Sequence, residues 1–294
     1  MSRASGPFPA NPSPFLRWAG SKKQLLPSLA LYWRHGHGRY IEPFAGSAAL
    51  FFHLAPAEAL IADINADLIT TYTEVSGHPR AVANRLAKLP KGPNAYRRLR
   101  ALDPGVMSPT DRSARFIYLN RYCFNGLYRT NSAGRFNVPY GGGKTGKLPS
   151  SRHLIECSRL LGSASIMCAS FEVTLEEARA DDFVYLDPPF RVDRQRVFTE
   201  YTASQFGPSH VHSLREWLVR LDRANVRFLL SYAASDEAEY LRKGFHFALV
   251  SVRRNIAGFA ASRRFTAEML ISNAPPREPP SLDGHPVIQA SPEV

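Results

Sequence analysis

Cysteine is scarce in this sequence. Cys123, Cys157 and Cys168 are the three present, with no CxxC spacing, so neither a disulfide framework nor a zinc signature can be drawn. They read as reduced residues of a cytoplasmic protein, and no metal is expected. No run reaches the roughly 18 apolar residues of a membrane span, and the N-terminus lacks the charged-then-apolar pattern of a signal peptide. No membrane partner is expected. Acids are also in short supply: 25 Asp and Glu against 37 Lys and Arg give a net charge of +12. The deficit is concentrated. Residues 91 to 159 hold 13 Lys or Arg and 3 Asp or Glu, a local excess of 10. Such clustering points to a polyanionic partner, nucleic acid first; solubility alone is the blander account.

Hydrophobic residues make up 44% of the 294 positions, enough for a large core. Residues 1–13 are rich in proline and glycine and read as a flexible arm. Residues 274–294 ("APPREPPSLDGHPVIQASPEV") are proline-rich and read as a disordered tail. No internal repeat is present. Between the tails, strand-like runs ("RYIEPF", "ALIADI", "ASIMCA", "DFVYLD", "VRFLLSY", "FHFALVSV", "FTAEMLIS") alternate with helical ones. Leu214, Trp217, Leu218 and Leu221 fall at i, i+3, i+4 and i+7, one apolar helix face. The alternation predicts an α/β fold: a Rossmann-like, mostly parallel sheet with helices on both faces. Residues 78–160 break the rhythm. They are basic, first helical and then loop-rich, with "NSAG" placed to close a hairpin. The expected organisation is a catalytic domain from 14–77 and 161–273, carrying a mainly helical recognition insert at 78–160.

Glycine is missing where a dinucleotide fold would need it. "YIEPFAGSAALFF" has a single glycine, Gly46, between strand and helix, not the three of GxGxxG. One glycine lets a ligand approach the backbone at a helix N-terminus. Asp63, 17 residues on, ends the next strand, where an acid accepts hydrogen bonds from ribose hydroxyls. Adenosine without a pyrophosphate suits this turn, so S-adenosyl-L-methionine is expected over NAD. The bland readings are an ordinary turn for Gly46 and a helix cap for Asp63 with Asn65.

"FVYLDPPF" ends a strand on a carboxylate, two prolines and an aromatic ring. Asp187 should stand at the carboxyl edge of the sheet, where open α/β folds bind ligands. An exocyclic amine on a nucleobase is a poor nucleophile because its lone pair is delocalised. Two acceptors on its two hydrogens, the Asp187 carboxylate and the Pro188 carbonyl, would aim that lone pair at a methyl sulfonium. The prolines hold the carbonyl because their φ is already fixed. Phe190 offers a flat face to a base flipped out of its duplex. A strand-ending Asp with a proline turn and a core Phe is the structural alternative. A cytosine-5 enzyme would need a cysteine after proline, and no Pro-Cys occurs.

Together these motifs resemble the Dam-like DNA adenine-N6 methyltransferases over roughly residues 15 to 272. "FLRWAGSKKQLL", "EPFAGSAALFF", "ADINADLI" and "DPPF" are similar to the family's cofactor and catalytic motifs, in its order. "YLNRYCFNGLYRTNSAGRFNVPYG" resembles its DNA-recognition stretch. The resemblance implies that Trp18, Lys22 and Asp63 contact the cofactor, with Phe171 near its adenine. It implies that Asp187 serves both cofactor and target, and that Phe190 stacks on the adenine. In the recognition stretch Arg129 would read a base edge, with Phe124, Asn125 and Leu127 holding the opened duplex and Arg17 on an outer base. Arg253 and Arg254 would meet phosphates. The expected partner is double-stranded DNA, bound by a monomer, with a GATC-like site as default. Ala48 replaces the family's second glycine, and Phe190 its tetrad tyrosine. Solitary and restriction-modification roles both stay open. So do a methyltransferase acting on an amine of RNA or protein and an inactive DNA-binding relative; a dinucleotide oxidoreductase ranks below them.

Overall fold

The computed structural model describes residues 11–20, 22–34, 36–131, 133–189, 206–255, 263–277 and 287–290. Its strands are β1 (Tyr40–Glu42), β2 (Ala59–Asp63), β3 (Ala164–Cys168), β4 (Phe183–Leu186), β5 (Arg227–Ala233), β6 (His246–Asn255), β7 (Arg263–Ser272) and β8 (Val287–Ala290). They form one sheet in the order β3-β2-β1-β4-β5-β7-β6-β8. The first five run parallel; β7, β6 and β8 are antiparallel additions. The expected parallel α/β sheet is therefore present, with an antiparallel flank.

Parallel strands buried on both faces read as continuous apolar runs rather than alternations, as "FVYL" and "RFLLSYA" do. Their alternate residues divide between two cores. One face buries Tyr40, Ile61, Phe183, Tyr185, Leu229 and Leu270 towards α1 (Leu26–Ala30), α2 (Ala49–Leu54) and α3 (Ala66–Gly77). The other buries Ile41, Leu60, Val184, Leu186 and Leu230 beneath α8 (Phe171–Glu176), α9 (Pro208–Arg223) and α10 (Asp236–Arg242). The predicted α9 stripe of Leu214, Trp217, Leu218 and Leu221 is buried there.

Strand order fixes where a ligand can enter. From β1 the chain passes outward to β2 and then β3. It returns across the sheet to place β4 on the other side of β1. The carboxyl ends of β1 and β4 thus diverge at a topological switch point, where open α/β sheets bind ligands.

The long β2-to-β3 connection carries α3, then α4 (Pro79–Ala87), α5 (Pro93–Ala101), α6 (Pro109–Tyr122) and α7 (Ser151–Leu161). Ser108 and Ser150 cap α6 and α7 by accepting from the N–H groups of Asp111 and His153, each satisfying an orphan donor. Leu68, Tyr72 and Val75 of α3 share one core with Ala114, Ile117 and Tyr118 of α6 and Leu154, Cys157 and Leu161 of α7. Among the described residues no helix is long and apolar enough to cross a membrane.

Both ends make contacts with the rest of the chain where they are described. In the arm, Asn11 donates to the His53 carbonyl, and the Ser13 carbonyl lies 2.7 Å from His153 Nε2. In the tail, Val287–Ala290 pairs antiparallel with β6. The apolar pair Val287 and Ile288 lies beyond the last strand-breaking proline before it, Pro286, leaving their N–H groups available to a ladder.

Candidate active site and nucleic-acid interface

Three strand ends converge on the switch point. From β1 the chain turns through Gly46, whose φ of +47° lies in the left-handed region. A Cβ there would fall 2.8 Å from Trp18 Cδ1, so glycine is required by both backbone and space. Tyr72 of α3 donates its hydroxyl to the Gly46 carbonyl at 2.8 Å, fixing the turn from below. Ala48 follows with φ 50° and ψ 41°, left-handed in a residue with a Cβ. That explains why a glycine would suit this position.

Asp63 ends β2 beside this turn. Its Oδ2 accepts from the Gly46 N–H at 3.1 Å and its Oδ1 from the Asn65 N–H at 2.9 Å. Asn65, not Asp63, caps α3, accepting from the Asp67 and Leu68 N–H groups. Asp63 is half-buried by surface area but enclosed at its carboxyl. Burial pushes its pKa up to about 6, against the lowering pull of backbone N–H groups at Asn65, Gly46 and Ile64. The next residue, Ile64, is 58% exposed, and Val173 of α8 is 51% exposed. Phe171 is buried and stacks on Phe44 with ring centroids 5.3 Å apart. An acid, a tight turn and two bare aliphatic side chains fit an adenosine better than a phosphate-bearing group. Ile64 and Val173 escaped the sequence reading; the one available signal was an aliphatic residue after a strand-ending acid.

Asp187 leaves β4 one position after the strand ends. Pro188 is buried behind it. The Lys22 ammonium, on a side chain 5% exposed, lies 2.9 Å from Asp187 Oδ1. It lies 3.4 Å from each carboxylate oxygen of Glu268 on β7, and Glu268 Oε2 accepts the Ser231 hydroxyl at 3.1 Å. Glu268 was not anticipated, because nothing local in "FTAEMLIS" ties it to Lys22. A second buried acid, Glu42 on β1, accepts the Tyr40 hydroxyl at 2.9 Å. Burial holds its carboxyl well above the usual range. Phe190 lies outside the described residues.

The segment before Lys22 joins this site to the recognition stretch. Asn120 of α6 accepts from the Arg17 N–H at 2.8 Å and donates to the Arg17 carbonyl at 2.6 Å. Arg17 packs so closely on Gly126 that a Cβ there would lie 2.8 Å from its own. Trp18 stacks on Tyr128, centroids 5.8 Å apart and planes 14° apart. Phe124 is 38% exposed, Asn125 is left-handed at φ 55°, and Leu127 is half-buried. The anticipated hairpin forms: Thr130 bridges Phe136 antiparallel, and the Asn137 N–H donates to the Arg129 carbonyl. The Arg129 side chain is braced at the hairpin base, its Nε donating to Asn137 Oδ1 at 2.7 Å. Arg253 and Arg254 lie in β6 opposite Phe265 and Arg264; their side chains are outside the described residues. Among the described residues no group of His, Cys, Asp and Glu is placed to hold a metal.

Known proteins resemble this chain over most of its length. A family model described as D12 class N6 adenine-specific DNA methyltransferase matches residues 18–256. Type II methyltransferase M1.LlaDCHI of Lactococcus lactis subsp. cremoris is 35% identical over 272 residues, covering 90% of this chain and 96% of its own. Type II methyltransferase M.MjaIII of Methanocaldococcus jannaschii is 33% identical over 266 residues, covering 83% and 92%. A DNA adenine methylase of Haemophilus influenzae is 31% identical over 251 residues, covering 83% and 87%.

Proposed function

The chain belongs to the D12 class N6 adenine-specific DNA methyltransferases, and from that premise we propose how its residues carry out the transfer. The methyl donor is S-adenosyl-L-methionine, which when bound supplies an electrophilic methyl group on a sulfonium. Asp63 accepts the ribose hydroxyls, Ile64 and Val173 border the adenine with Phe171 behind them, and Gly46 lets Trp18 pack against the turn.

The observation that carries the reading is Asp187 at the switch point, anchored through Oδ1 by Lys22. With the ammonium holding the carboxylate in place, Asp187 is an acceptor for the 6-amino group of a flipped adenine. Pro188, held in the protein behind it, offers its carbonyl to the second hydrogen. Two acceptors draw density onto the nitrogen and direct its lone pair at the methyl group, an electrostatic and orienting contribution. Phe190 is assigned the stacking face on sequence grounds.

The DNA is duplex, and the enzyme works on it as a monomer in the cytoplasm. Arg129 and Arg17 read base edges, Phe124, Asn125 and Leu127 support the opened strand, and Arg253 and Arg254 meet phosphates. A GATC-like site is proposed. The decisive experiment is Asp187→Ala on duplex DNA, read as N6-methyladenine by mass spectrometry. We expect methylation to vanish while the thermal transition stays cooperative. A wild-type rate in that variant would overturn the assignment.

A further inference from the structure

We propose that Glu268 is a positioning residue for methyl transfer, acting through Lys22 to keep Asp187 a charged acceptor. This inference rests on the roles given above to Asp187 and Lys22. Glu268 lies on β7, two strands from β4, and is 2% exposed. A buried carboxylate is costly unless it is paired and hydrogen-bonded, and this one has both kinds of contact, Lys22 on one side and the Ser231 hydroxyl on the other.

Register explains how they meet. Glu268 stands opposite Ala233 of β5. Ser231 shares that sheet face, two residues back, and so does Asp187, two residues beyond Tyr185 of β4. The same face thus carries a polar line under the switch point, with the Lys22 ammonium descending onto it.

The charge arithmetic gives Glu268 its purpose. An ammonium paired with one carboxylate cancels it, and a neutralised carboxylate is a weaker acceptor for an incoming N–H. Here one ammonium is shared by two carboxylates, so the trio keeps a net charge of −1. Glu268 takes part of the ammonium's field, and Asp187 stays anionic toward the amine. Glu268 also fixes the ammonium from the side away from Asp187, which keeps the Asp187 carboxylate from rotating with a mobile lysine.

The test is Glu268→Gln in the full-length enzyme, with Asp187→Ala, Lys22→Gln and the Lys22→Gln/Glu268→Gln double variant alongside. Glu268→Gln is expected to lower kcat about 10- to 100-fold, the size of one charge-assisted interaction in the transition state. KM for S-adenosyl-L-methionine and DNA affinity should stay within about twofold, since a group acting only in the transition state changes kcat and kcat/KM together. In the Lys22→Gln background the same substitution should have little further effect, because residues acting as a unit are not additive. Glu268→Asp, which keeps the charge, should retain more activity than Glu268→Gln.

A wild-type kcat for Glu268→Gln would overturn the inference. So would an undiminished effect in the Lys22→Gln background, or a rise in cofactor KM at constant kcat. If Glu268→Gln lacks a cooperative unfolding transition, Ser231→Ala decides instead. It removes the hydroxyl that holds Glu268 Oε2 and so loosens the carboxylate's grip on Lys22; a wild-type kcat there overturns the proposal while a fall of several-fold supports it. An active Asp187→Ala would sink the proposed function itself; an inactive Asp187→Ala with a wild-type Glu268→Gln would sink this inference alone.

Discussion

At the scale of single residues, Asp63 and Ala48 carry opposite kinds of strain. Burial raises the Asp63 carboxyl to about 6, so the folded protein holds this proton more tightly than the unfolded chain. Its contribution to stability is therefore fully present below the ordinary Asp range and is lost as pH rises through about 6. Ligand binding should run the other way, because the ionised carboxylate is the acceptor for two ribose hydroxyls. Calorimetry should show S-adenosyl-L-methionine affinity rising about tenfold between about pH 5 and about pH 7, then levelling off. Asp63→Asn should flatten that profile; a profile unchanged by the substitution would remove Asp63 from the ribose site. Ala48 is different: its left-handed backbone at φ 50° costs an L-residue energy that glycine escapes. Ala48→Gly should raise the free energy of unfolding by about 1 kcal/mol, measured by chemical denaturation. A lower midpoint would show that the missing Cβ contact in this fully buried position outweighs the backbone relief.

At the scale of elements, the insert depends on arginines that are not on its surface. Arg115 of α6 is 4% exposed. It donates through Nε to the Leu99 carbonyl at 2.7 Å and through Nη2 to the Arg100 carbonyl at 3.0 Å. These are carbonyls in the last turn of α5, where the helix leaves acceptors in need of donors; that of Leu99 also accepts the capping Leu102 N–H. Arg115→Ala should cost about 2–3 kcal/mol in urea denaturation, the range for lost charged hydrogen bonds with buried acceptors left behind; a loss below the error of the fit would show that water replaces the guanidinium. Arg115 also marks where sequence reading stops. Strands such as Phe183–Leu186 and the α9 stripe were legible because period and burial leave a local pattern. So was the place of Asp187, one residue past the end of a strand. Lys22 with Glu268 and Arg17 with Asn120 were not legible as pairs, because a long-range contact leaves no mark on neighbouring residues. Nor does a count of charges say how they are used. Arg112 pairs with Asp67, Arg121 donates to the Phe15 carbonyl, and Arg129 leans on Asn137, so part of the basic excess is spent inside the protein.

At the scale of the whole molecule, that internal use lowers the charge available to DNA below what the span 91–159 promises. Each phosphate contact contributes about −0.9 to the slope of log K against log salt, so a slope of roughly −3 to −5 is expected rather than one approaching the full local excess. Fluorescence anisotropy on an unrelated duplex across a salt series measures it, and a flat response would exclude the insert as the phosphate-binding face. The sheet order has a further consequence for the protein's manufacture. β7 lies between β5 and β6, yet it leaves the ribosome after both. Until residue 272 has emerged, β5 has no partner on that side, and β6 is separated from the sheet it will join. Lys22 waits 246 positions for Glu268. A nascent chain thus carries its Gly46 turn and helices α3 to α7 early but cannot complete its charge trio until nearly the last strand is made. A message truncated within β7 would yield a protein with an open strand edge, prone to pair with its neighbours, rather than a weakened enzyme.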